Sequence, residues 1–424
     1  MNAMTQQQKP PFELNGWQHV AVFLCACLLV VSRRPDAVFH AQFCCEDGHV
    51  WFADAYNLGW WNALFRAQDG YFQTVPRLAA ALALLVPLAL APLVTNLLHI
   101  LVQAAPVSVL LGSRSSAWGS LRFRALMAAV YIALPNNAEM TFGITWAQWQ
   151  LVLCTILLVV ASAPRGWPGR TFDCIFFLLS GLSGPFCILV LPIAAFLAWK
   201  RREWWRWVQC AVLAVCALTQ LYSLLILDPK GRANFPIGID AAIFTRMLAG
   251  NVFAGAVLGR VRLAVLPGTG AFVFLLCVAV VGTAIVVACF LKARLEMKLF
   301  LVFTCLIFAA SLLHPSAYPP PGSTMWQLMV KAVAIRYWFF PSLAFAWTLL
   351  WCVRSGTVIL KSAASVLVCL MAFGMLMNWR IPAFQDFHFA QYARAFEAAP
   401  PGTVMVIPEY WEGWNIRLVK HASR

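Results

Sequence analysis

AFVFLLCVAVVGTAIVVACFLK, residues 271–292, is the stretch that decides the fold class of this chain. Its only charged residue is the final Lys292, and nearly all of its other side chains are apolar. A helix of about 20 such residues matches the thickness of the hydrocarbon core of a bilayer. The stretch therefore predicts a transmembrane helix.

The whole chain has the composition that this stretch implies. Of its 424 residues, 62% are hydrophobic and 11% are charged, and the mean hydropathy is +0.76. Soluble globular proteins hold about 45–50% apolar and about 25% charged residues. The composition excludes a soluble globular protein and predicts an all-α polytopic membrane protein.

Apolar runs recur along the chain, separated by charged or Pro/Gly-rich breaks. We predict about 11 transmembrane helices, over residues 15–32, 90–112, 124–136, 146–162, 172–183, 185–199, 207–227, 271–292, 299–313, 336–352 and 357–377. A partial, re-entrant helix is expected before the second span, ending near Val86, because Pro87 and Pro92 interrupt the apolar run.

These spans divide the chain into a short N-terminal segment, a transmembrane domain and a small C-terminal cap. Their predicted bounds are residues 1–14, 15–377 and 378–424, and residues 33–77 form a first outer loop with surface helices. In the cap, we expect an amphipathic helix over 385–398 and a strand over 403–407.

The net charge of +15 indicates topology and leaves no need for a nucleic-acid partner. Basic residues cluster in every second loop, at 114–124, 165–170, 200–206, 292–298 and 354–361. Together with Lys9, that side holds 15 of the 31 basic residues but four of the 16 acids. Because Lys and Arg are enriched in cytoplasmic loops, the N-terminus is expected in the cytoplasm and the C-terminus outside.

Two of the predicted spans are too short for a full crossing. They end at Pro135-Asn136-Asn137 and at Ser183-Gly184-Pro185. Such broken helices persist at membrane depth where the freed backbone faces protein or a wet cavity. We therefore expect both breaks to line a cavity open to the outer face, roofed by outer loops 228–270 and 314–334.

Glu46 and Asp47, in the first outer loop, are the candidate catalytic residues. Two adjacent like charges raise at least one pKa toward the range of a useful base. A carboxylate beside an apolar surface can then take a proton from an attacking hydroxyl or amine. The alternative is that these acids only keep the loop soluble.

Other polar residues near the outer face are candidates for substrate binding: Arg77, Asp69, Tyr71, Glu139, Asn137, Arg336, Tyr337 and His314. The guanidinium forks of Arg77 and Arg336 match phosphate oxygens, although both arginines could instead be interfacial anchors. Glu139 follows a broken helix, where an acid needs solvent or a partner. No His/Cys/Asp spacing resembles a metal site, and a lone histidine such as His314 is more often structural.

The order of these parts resembles the GT-C superfamily of membrane glycosyltransferases, in its bacterial branch. The parts are one span, an outer loop with an acidic pair, a Pro-Arg re-entry and a bundle with broken helices. The residues that carry the resemblance are Glu46-Asp47-Gly48, Gly70-Tyr71, Pro76-Arg77-Leu78, Leu134-Pro135-Asn136, Gln148-Trp149 and Arg336-Tyr337.

The resemblance implies an inverting transfer of a sugar from a polyprenyl-phosphate donor to a glycan, lipid or protein acceptor. Asp47 or Glu46 would be the general base, and Arg77 or Arg336 would stabilise the leaving lipid phosphate. Glu139 would orient the acceptor or help to bind a divalent metal ion. The enzyme would act at the extracytoplasmic face of a bacterial inner membrane.

Three other functions compete with this hypothesis. A transporter or flippase of lipid-linked sugars predicts charges or repeats within the spans, where charges are sparse. A polysaccharide polymerase or ligase of another membrane fold would depend on Arg260, Arg262 and His314 in the late loops. A non-catalytic assembly partner would depend on no single acid.

Overall fold

The computed structural model describes residues 13–141, 143–229, 231, 235–259, 262–331, 335–410 and 413–422. The chain is 72% helical. Within these described ranges, seven helices are long and apolar enough, by length and composition alone, to cross a membrane: Gly16–Arg33, Leu88–Leu111, Trp204–Leu227, Ala241–Leu258, Thr269–Lys292, Leu295–Leu313 and Val358–Met377. They support a helical, multi-pass membrane protein, while the total of 11 spans stays a prediction. Most of the N-terminal segment, residues 1–12, lies outside the described residues.

The helices follow the predicted apolar runs, with shifted ends. In the first half of the chain they are α1 (Gly16–Arg33), α2 (Asp36–Phe39), α3 (Ala53–Leu58), α4 (Trp60–Leu64), α5 (Thr74–Ala83), α6 (Ala91–Leu111), α7 (Leu121–Ala133), α8 (Ala147–Val160), α9 (Trp167–Gly181) and α10 (Cys187–Arg201). In the second half they are α11 (Trp204–Tyr222), α12 (Ala241–Arg246), α13 (Gly255–Leu258), α14 (Thr269–Lys292), α15 (Leu295–Leu313), α16 (Met325–Met329), α17 (Phe339–Ser355), α18 (Val358–Met377) and α19 (Phe389–Ala398).

The two ends of the bundle can be distinguished by two helix pairs, α14–α15 and α17–α18, each joined by a short turn and packed side by side. The loop after α15 meets the turn before α17, where the Ser316 backbone N–H donates to the Tyr337 hydroxyl at 2.6 Å. We call this the site end of the bundle. The turns within the two helix pairs, and the basic clusters beside them, lie at the opposite end.

The segment predicted as outer loop 228–270 contains a helix, so that prediction was wrong in part. α12, a π-helical stretch over Met247–Ala254 and α13 run without a break. Both ends of this helix nevertheless lie at the site end. The Arg246 guanidinium lies over the Phe272 ring in the first turn of α14, and Asn378, just after α18, donates to the Leu258 carbonyl.

Glycines weaken the sequence signal for this helix, because glycine is unfavourable in an isolated helix. In the fold they permit close packing. A Cβ on Gly250 would lie 2.6 Å from the Ala264 backbone nitrogen, and one on Gly255 would lie 2.9 Å from the Asn136 amide nitrogen. Tertiary contacts therefore stabilise a helix that local propensity does not predict.

α7 and α9 end where the sequence predicted helix breaks, at Ala133 and Gly181. Pro135 cannot continue a helix because it lacks an N–H, and it disfavours helical geometry in the residue before it. Gly184 has a φ of 122°, a conformation that side chains rarely adopt. Both breaks lie at the site end.

Buried arginines bond to the carbonyls that helix ends leave without partners. Arg124 donates to the Leu110 and Gly112 carbonyls at the end of α6. Arg206 donates in the same way to the Val159 and Ala161 carbonyls at the end of α8. The negative end of the helix dipole favours a cation there. Part of the basic charge at the opposite end is thus structural.

The C-terminal cap packs on the first loop. After α19, strand β1 (Val404–Pro408) pairs antiparallel with β2 (Asn415–Val419). The predicted helix and first strand agree with the structure apart from their ends, whereas β2 was not predicted. Ile416 and Leu418 of the cap share a core cluster with Phe43 and Phe52 of the first loop.

Candidate active site

A cavity of about 1260 Å³ opens at the site end of the bundle. The first loop, the two helix breaks, the loop after α15, the turn before α17 and the cap all contribute to its wall. Of the residues proposed from the sequence, seven line it: Glu46, Asp69, Tyr71, Glu139, His314, Arg336 and Tyr337. The other three, Asp47, Arg77 and Asn137, do not contribute to the wall.

Glu46 is the acid of the adjacent pair that lines the cavity. It follows Cys45, whose φ of 60° turns the chain sharply. The Glu46 Oε2 atom is buried and has no hydrogen-bond partner among the described residues. Burial raises the pKa of this carboxyl and the charge of Asp69 raises it further, while Arg336 and His49 oppose the rise. Such a carboxyl has the properties of a general base.

Asp47 instead holds the start of the α8 segment. Its carboxylate accepts hydrogen bonds from the Ile144 N–H at 3.0 Å, the Thr145 N–H at 2.9 Å and the Thr145 hydroxyl at 2.6 Å. A Cβ on Gly143 would lie 2.2 Å from Asp47 Oδ2, so only glycine permits this approach. Burial raises the pKa of Asp47 to about 7, and the bonds from Thr145 and Ile144 oppose that rise. The structure therefore separates the roles of the two acids.

Asp69 closes the first loop in a tight hairpin. Asp69 and Gly70 have φ values of 54° and 87°, as in the two-residue turns that Asp-Gly favours. Gln68 and Tyr71 exchange backbone hydrogen bonds across the turn at 3.0 and 3.2 Å. The Asp69 carboxylate accepts from the Ser316 hydroxyl at 3.2 Å, which joins the first loop to the loop after α15.

Glu139 and Arg336 form an ion pair in the wall. The Arg336 backbone N–H donates to Glu139 Oε2 at 2.9 Å, and its guanidinium donates to Glu139 Oε1 and to the Ser316 carbonyl. The guanidinium also lies 4.7 Å from the ring centroids of both Trp146 and Tyr337. Arg336 is thus held rigidly at the cavity surface.

A divalent metal ion at Glu139 would have to share both carboxylate oxygens with donors of Arg336. Within the described parts of the chain, no group of three or more His, Cys, Asp or Glu side chains is placed to hold a metal ion. Lys331 contributes a second cation to the wall, and its side chain is exposed.

Arg77 was predicted to contact a phosphate, and the structure contradicts this. Its side chain is 1% exposed, donates to Asp54 Oδ2 at 3.1 Å and lies 4.9 Å from the centroid of the Trp51 ring. A buried cation needs such a partner, so Arg77 fastens α5 to α3. Asn137 is also buried away from the wall, while its neighbour Asn136 lines the cavity.

Two residues that the sequence did not reveal, His49 and Glu409, complete the acid loop. Glu409 follows β1, and its buried carboxylate accepts from the Gly48 N–H at 2.9 Å and the His49 N–H at 3.2 Å. His49 Nδ1 lies 3.0 Å from Glu409 Oε2 and 2.9 Å from the Cys45 carbonyl oxygen. Because both neighbours are acceptors, Nδ1 carries the proton, which leaves Nε2 as the remaining nitrogen of a ring that lines the cavity.

Glu409 also favours the charged form of His49. Burial lowers the pKa of His49, but the hydrogen bond and charge of Glu409, together with the charge of Glu46, outweigh it and raise the pKa. An acid after a predicted strand was the one signal available in the sequence. It could not identify a partner 360 residues away.

The rest of the wall combines aromatic and apolar side chains. Its aromatic residues include Trp146, Trp149, Trp414, Tyr318 and Tyr410. Ile188, Leu189, Leu224 and Leu225 form an apolar side, and Leu225 is 69% exposed on the protein surface. The cavity can therefore hold a polar group against charges and an apolar group along one side. Arg260 and the side chain of Arg262, which a polymerase or ligase would use, lie outside the described residues.

No family model matches this chain, and no curated protein matches it. The fold supports the class of helical, multi-pass membrane proteins, and one end of the bundle holds a large cavity lined by charged, aromatic and apolar side chains.

Proposed function

We propose that this protein is a membrane glycosyltransferase that moves a sugar from a polyprenyl-phosphate donor to a glycan, lipid or protein acceptor. The observation that carries the proposal is the set of charges in one cavity: carboxylates at Glu46 and Asp69, with cations at Arg336 and Lys331. Sugar transfer from a lipid phosphate needs a base for the acceptor and positive charge for the leaving phosphate. It takes place on the extracytoplasmic face of a bacterial inner membrane.

Glu46 is the general base in this proposal. It lines the cavity, whereas Asp47 is fully engaged by backbone and hydroxyl donors. Burial and the charge of Asp69 both raise the pKa of Glu46. The Glu46 carboxylate is therefore a stronger base than an exposed glutamate. Glu409 positions the loop by binding the N–H groups of Gly48 and His49.

Arg336 and Lys331 are proposed to receive the lipid phosphate. Glu139 and Ser316 hold Arg336 in place, so the guanidinium needs no rearrangement as charge develops. Lys331 adds a second positive charge to the same cavity on a flexible side chain. Arg77 takes no part, because Asp54 and Trp51 enclose it.

The reaction is a single displacement. Glu46 takes the proton from the acceptor hydroxyl, while the oxygen of that hydroxyl bonds to the anomeric carbon of the sugar. The bond from that carbon to the phosphate oxygen breaks, and the polyprenyl phosphate leaves with the electron pair. Attack opposite the leaving group inverts the anomeric configuration.

The shape of the cavity supports a lipid-linked donor. Its volume of about 1260 Å³ exceeds the roughly 300–1,000 Å³ of sites for small ligands, so it has room for donor and acceptor groups together. Its apolar side continues to the exposed Leu225, which fits an isoprenoid chain that stays in the bilayer.

The test compares lipid-linked sugars and surface glycans from cells with wild-type protein, Glu46→Gln, Asp386→Asn or no protein. Asp386 is an acid of the cap whose side chain is 68% exposed, so it is the matched control. We expect Glu46→Gln to lower transfer about 10²–10⁴-fold at an unchanged amount of protein in the membrane. Asp386→Asn should match the wild type.

Wild-type glycans from the Glu46→Gln cells would overturn the base assignment. An unchanged profile without the protein would overturn the enzyme proposal. If the protein is a flippase, cells without it should accumulate the lipid-linked sugar. If it is a polymerase or ligase, cells without it should change the length or the attachment of the glycan, while the addition of single sugars stays the same.

A further inference from the structure

A second cavity, of about 280 Å³, lies at the opposite end of the bundle. Three parts of the chain meet there: the turn between α14 and α15, the end of α17, and the segment that leads into α7. The side chains that give it chemical character are Lys292, Arg294, Arg354, Glu296, Trp351 and Phe123. The proposed sugar transfer uses none of them.

The charge of this second cavity is positive and uncompensated. Three of its lining residues are cations, at Lys292, Arg294 and Arg354, and among the described residues that line it Glu296 is the one acid. Glu296 is already paired, since its Oε1 accepts from the Arg201 guanidinium at 2.9 Å. The cavity therefore attracts an anion.

Helix dipoles explain only part of this charge. Lys292 and Arg354 lie in the last turns of α14 and α17, where a cation is favourable. Arg294 is the N-cap residue of α15, and a cation is unfavourable at that end of a helix. A bound anion would offset this unfavourable charge. Glu296 does not offset it, because Glu296 is already paired with Arg201.

Arg354 lines the cavity with an exposed side chain that packs on one aromatic ring. Its guanidinium lies 4.8 Å from the centroid of the Phe123 ring. It also lies directly against Gly119, where a Cβ would come within 2.2 Å of an Arg354 guanidinium nitrogen. Gly119 has a φ of 129°, which strains any other residue. The positive φ favours glycine at this position, and the missing side chain leaves room for the Arg354 guanidinium.

We propose that this second cavity binds the phosphate group of an anionic phospholipid. Guanidinium forks match phosphate oxygens, and basic pockets between membrane helices suit acidic lipid headgroups. The neighbours of the cationic residues fit the acyl chains, because Leu291 is 67% exposed and Val353 is 37% exposed. The site is independent of the sugar-transfer cavity and of its proposed function.

The test is native mass spectrometry of the full chain in detergent with phosphatidylglycerol, phosphatidylcholine or inorganic phosphate. The main variant is Arg294→Gln, because Arg294 lines the cavity and its side chain is exposed. The matched control is Arg122→Gln, an exposed arginine in the first turn of α7 that does not line the cavity. Melting temperatures without lipid verify that both variants fold.

We expect wild-type protein and Arg122→Gln to bind phosphatidylglycerol equally, with no matching affinity for phosphatidylcholine. Arg294→Gln should bind it about tenfold more weakly, as the loss of one charge-assisted contact implies. If inorganic phosphate displaces the lipid from wild-type protein but not from Arg294→Gln, the cavity is a phosphate site whose natural ligand is soluble. Equal binding by Arg294→Gln and wild type, or equal binding of phosphatidylcholine, would overturn the proposal.

Discussion

Glu46 is the residue whose titration should control activity. A general base acts when ionised, and burial together with Asp69 raises the pKa of this carboxyl above the roughly 4.3 of a free glutamate. Activity should therefore fall as the pH drops through that raised pKa. In Asp69→Asn the neighbouring charge is gone, so we expect the acidic limb of the kcat–pH profile to move to lower pH. A limb that stays in place or moves upward would contradict the assignment of Glu46 as the base.

Asp47 should matter for stability more than for chemistry. In Asp47→Ala the buried N–H groups of Ile144 and Thr145 lose their acceptor, which costs about 1–3 kcal/mol. Asp47→Asn keeps one oxygen and should cost less. Thermal unfolding of the detergent-solubilised protein measures both. A melting temperature for Asp47→Ala equal to that of the wild type would show that the capping contact carries no stability.

The sequence could identify these acids but could not separate their roles. Glu46 and Asp47 are neighbours, and the turn at Cys45 decides which of them lines the cavity. Arg77 and Arg336 are likewise both interfacial arginines in the sequence. Only the fold shows that Arg77 is enclosed by Asp54 and that Arg336 lies in the wall.

Among the elements, the cap supplies Glu409, which positions the acid loop without lining the cavity itself. In Glu409→Gln the N–H groups of Gly48 and His49 keep an acceptor oxygen, but the charge that raises the pKa of His49 is lost. We expect kcat to fall about tenfold with a smaller change in KM, because the loop is positioned less firmly.

Glu397→Gln is the matched control for this variant. Glu397 also lies in the cap and also accepts a backbone N–H, from Leu88 at 2.7 Å, but it does not line the cavity. Its kcat should match the wild type. Equal losses in the two variants would mean that Glu409 only attaches the cap.

The sequence predicted the end of a helix correctly where a proline or a Gly-Pro turn stops the helix. Pro135 and the Gly184-Pro185 pair end helices by their own geometry, so α7 and α9 break where the sequence indicates. The helix from Ala241 to Leu258 was missed because its stability depends on glycine-mediated contacts with Ala264 and Asn136. Strand β2 was missed because its partner, not its composition, makes it a strand.

On the scale of the whole molecule, the orientation of the bundle is a testable prediction. The basic clusters indicate that the opposite end of the bundle faces the cytoplasm and that the site end faces outward. Green fluorescent protein fused after Arg202 should therefore fluoresce, and alkaline phosphatase fused after Asp228 should be active. A fusion after Gly268 should behave like the one after Asp228, since the intervening helix has both ends at the site end.

The reversed pattern would invert the proposed orientation and place the sugar-transfer cavity in the cytoplasm. Different behaviour after Asp228 and Gly268 would show that the helix between them crosses the membrane. The amount of fusion protein in the membrane, measured by immunoblot, is the control for both readouts.

The bond between Glu409 and the first loop also sets an order of assembly. A ribosome makes Gly48 361 residues before Glu409, which at ordinary elongation rates is a delay of roughly 20–70 s. During that interval the acid loop has already emerged, but the carboxylate that fixes its backbone does not yet exist. A chain released before Glu409 would carry Glu46, Asp69, Lys331 and Arg336 but would lack the carboxylate that fixes the acid loop and the cap side of the cavity wall. If the proposed function holds, we expect such a chain to be inactive.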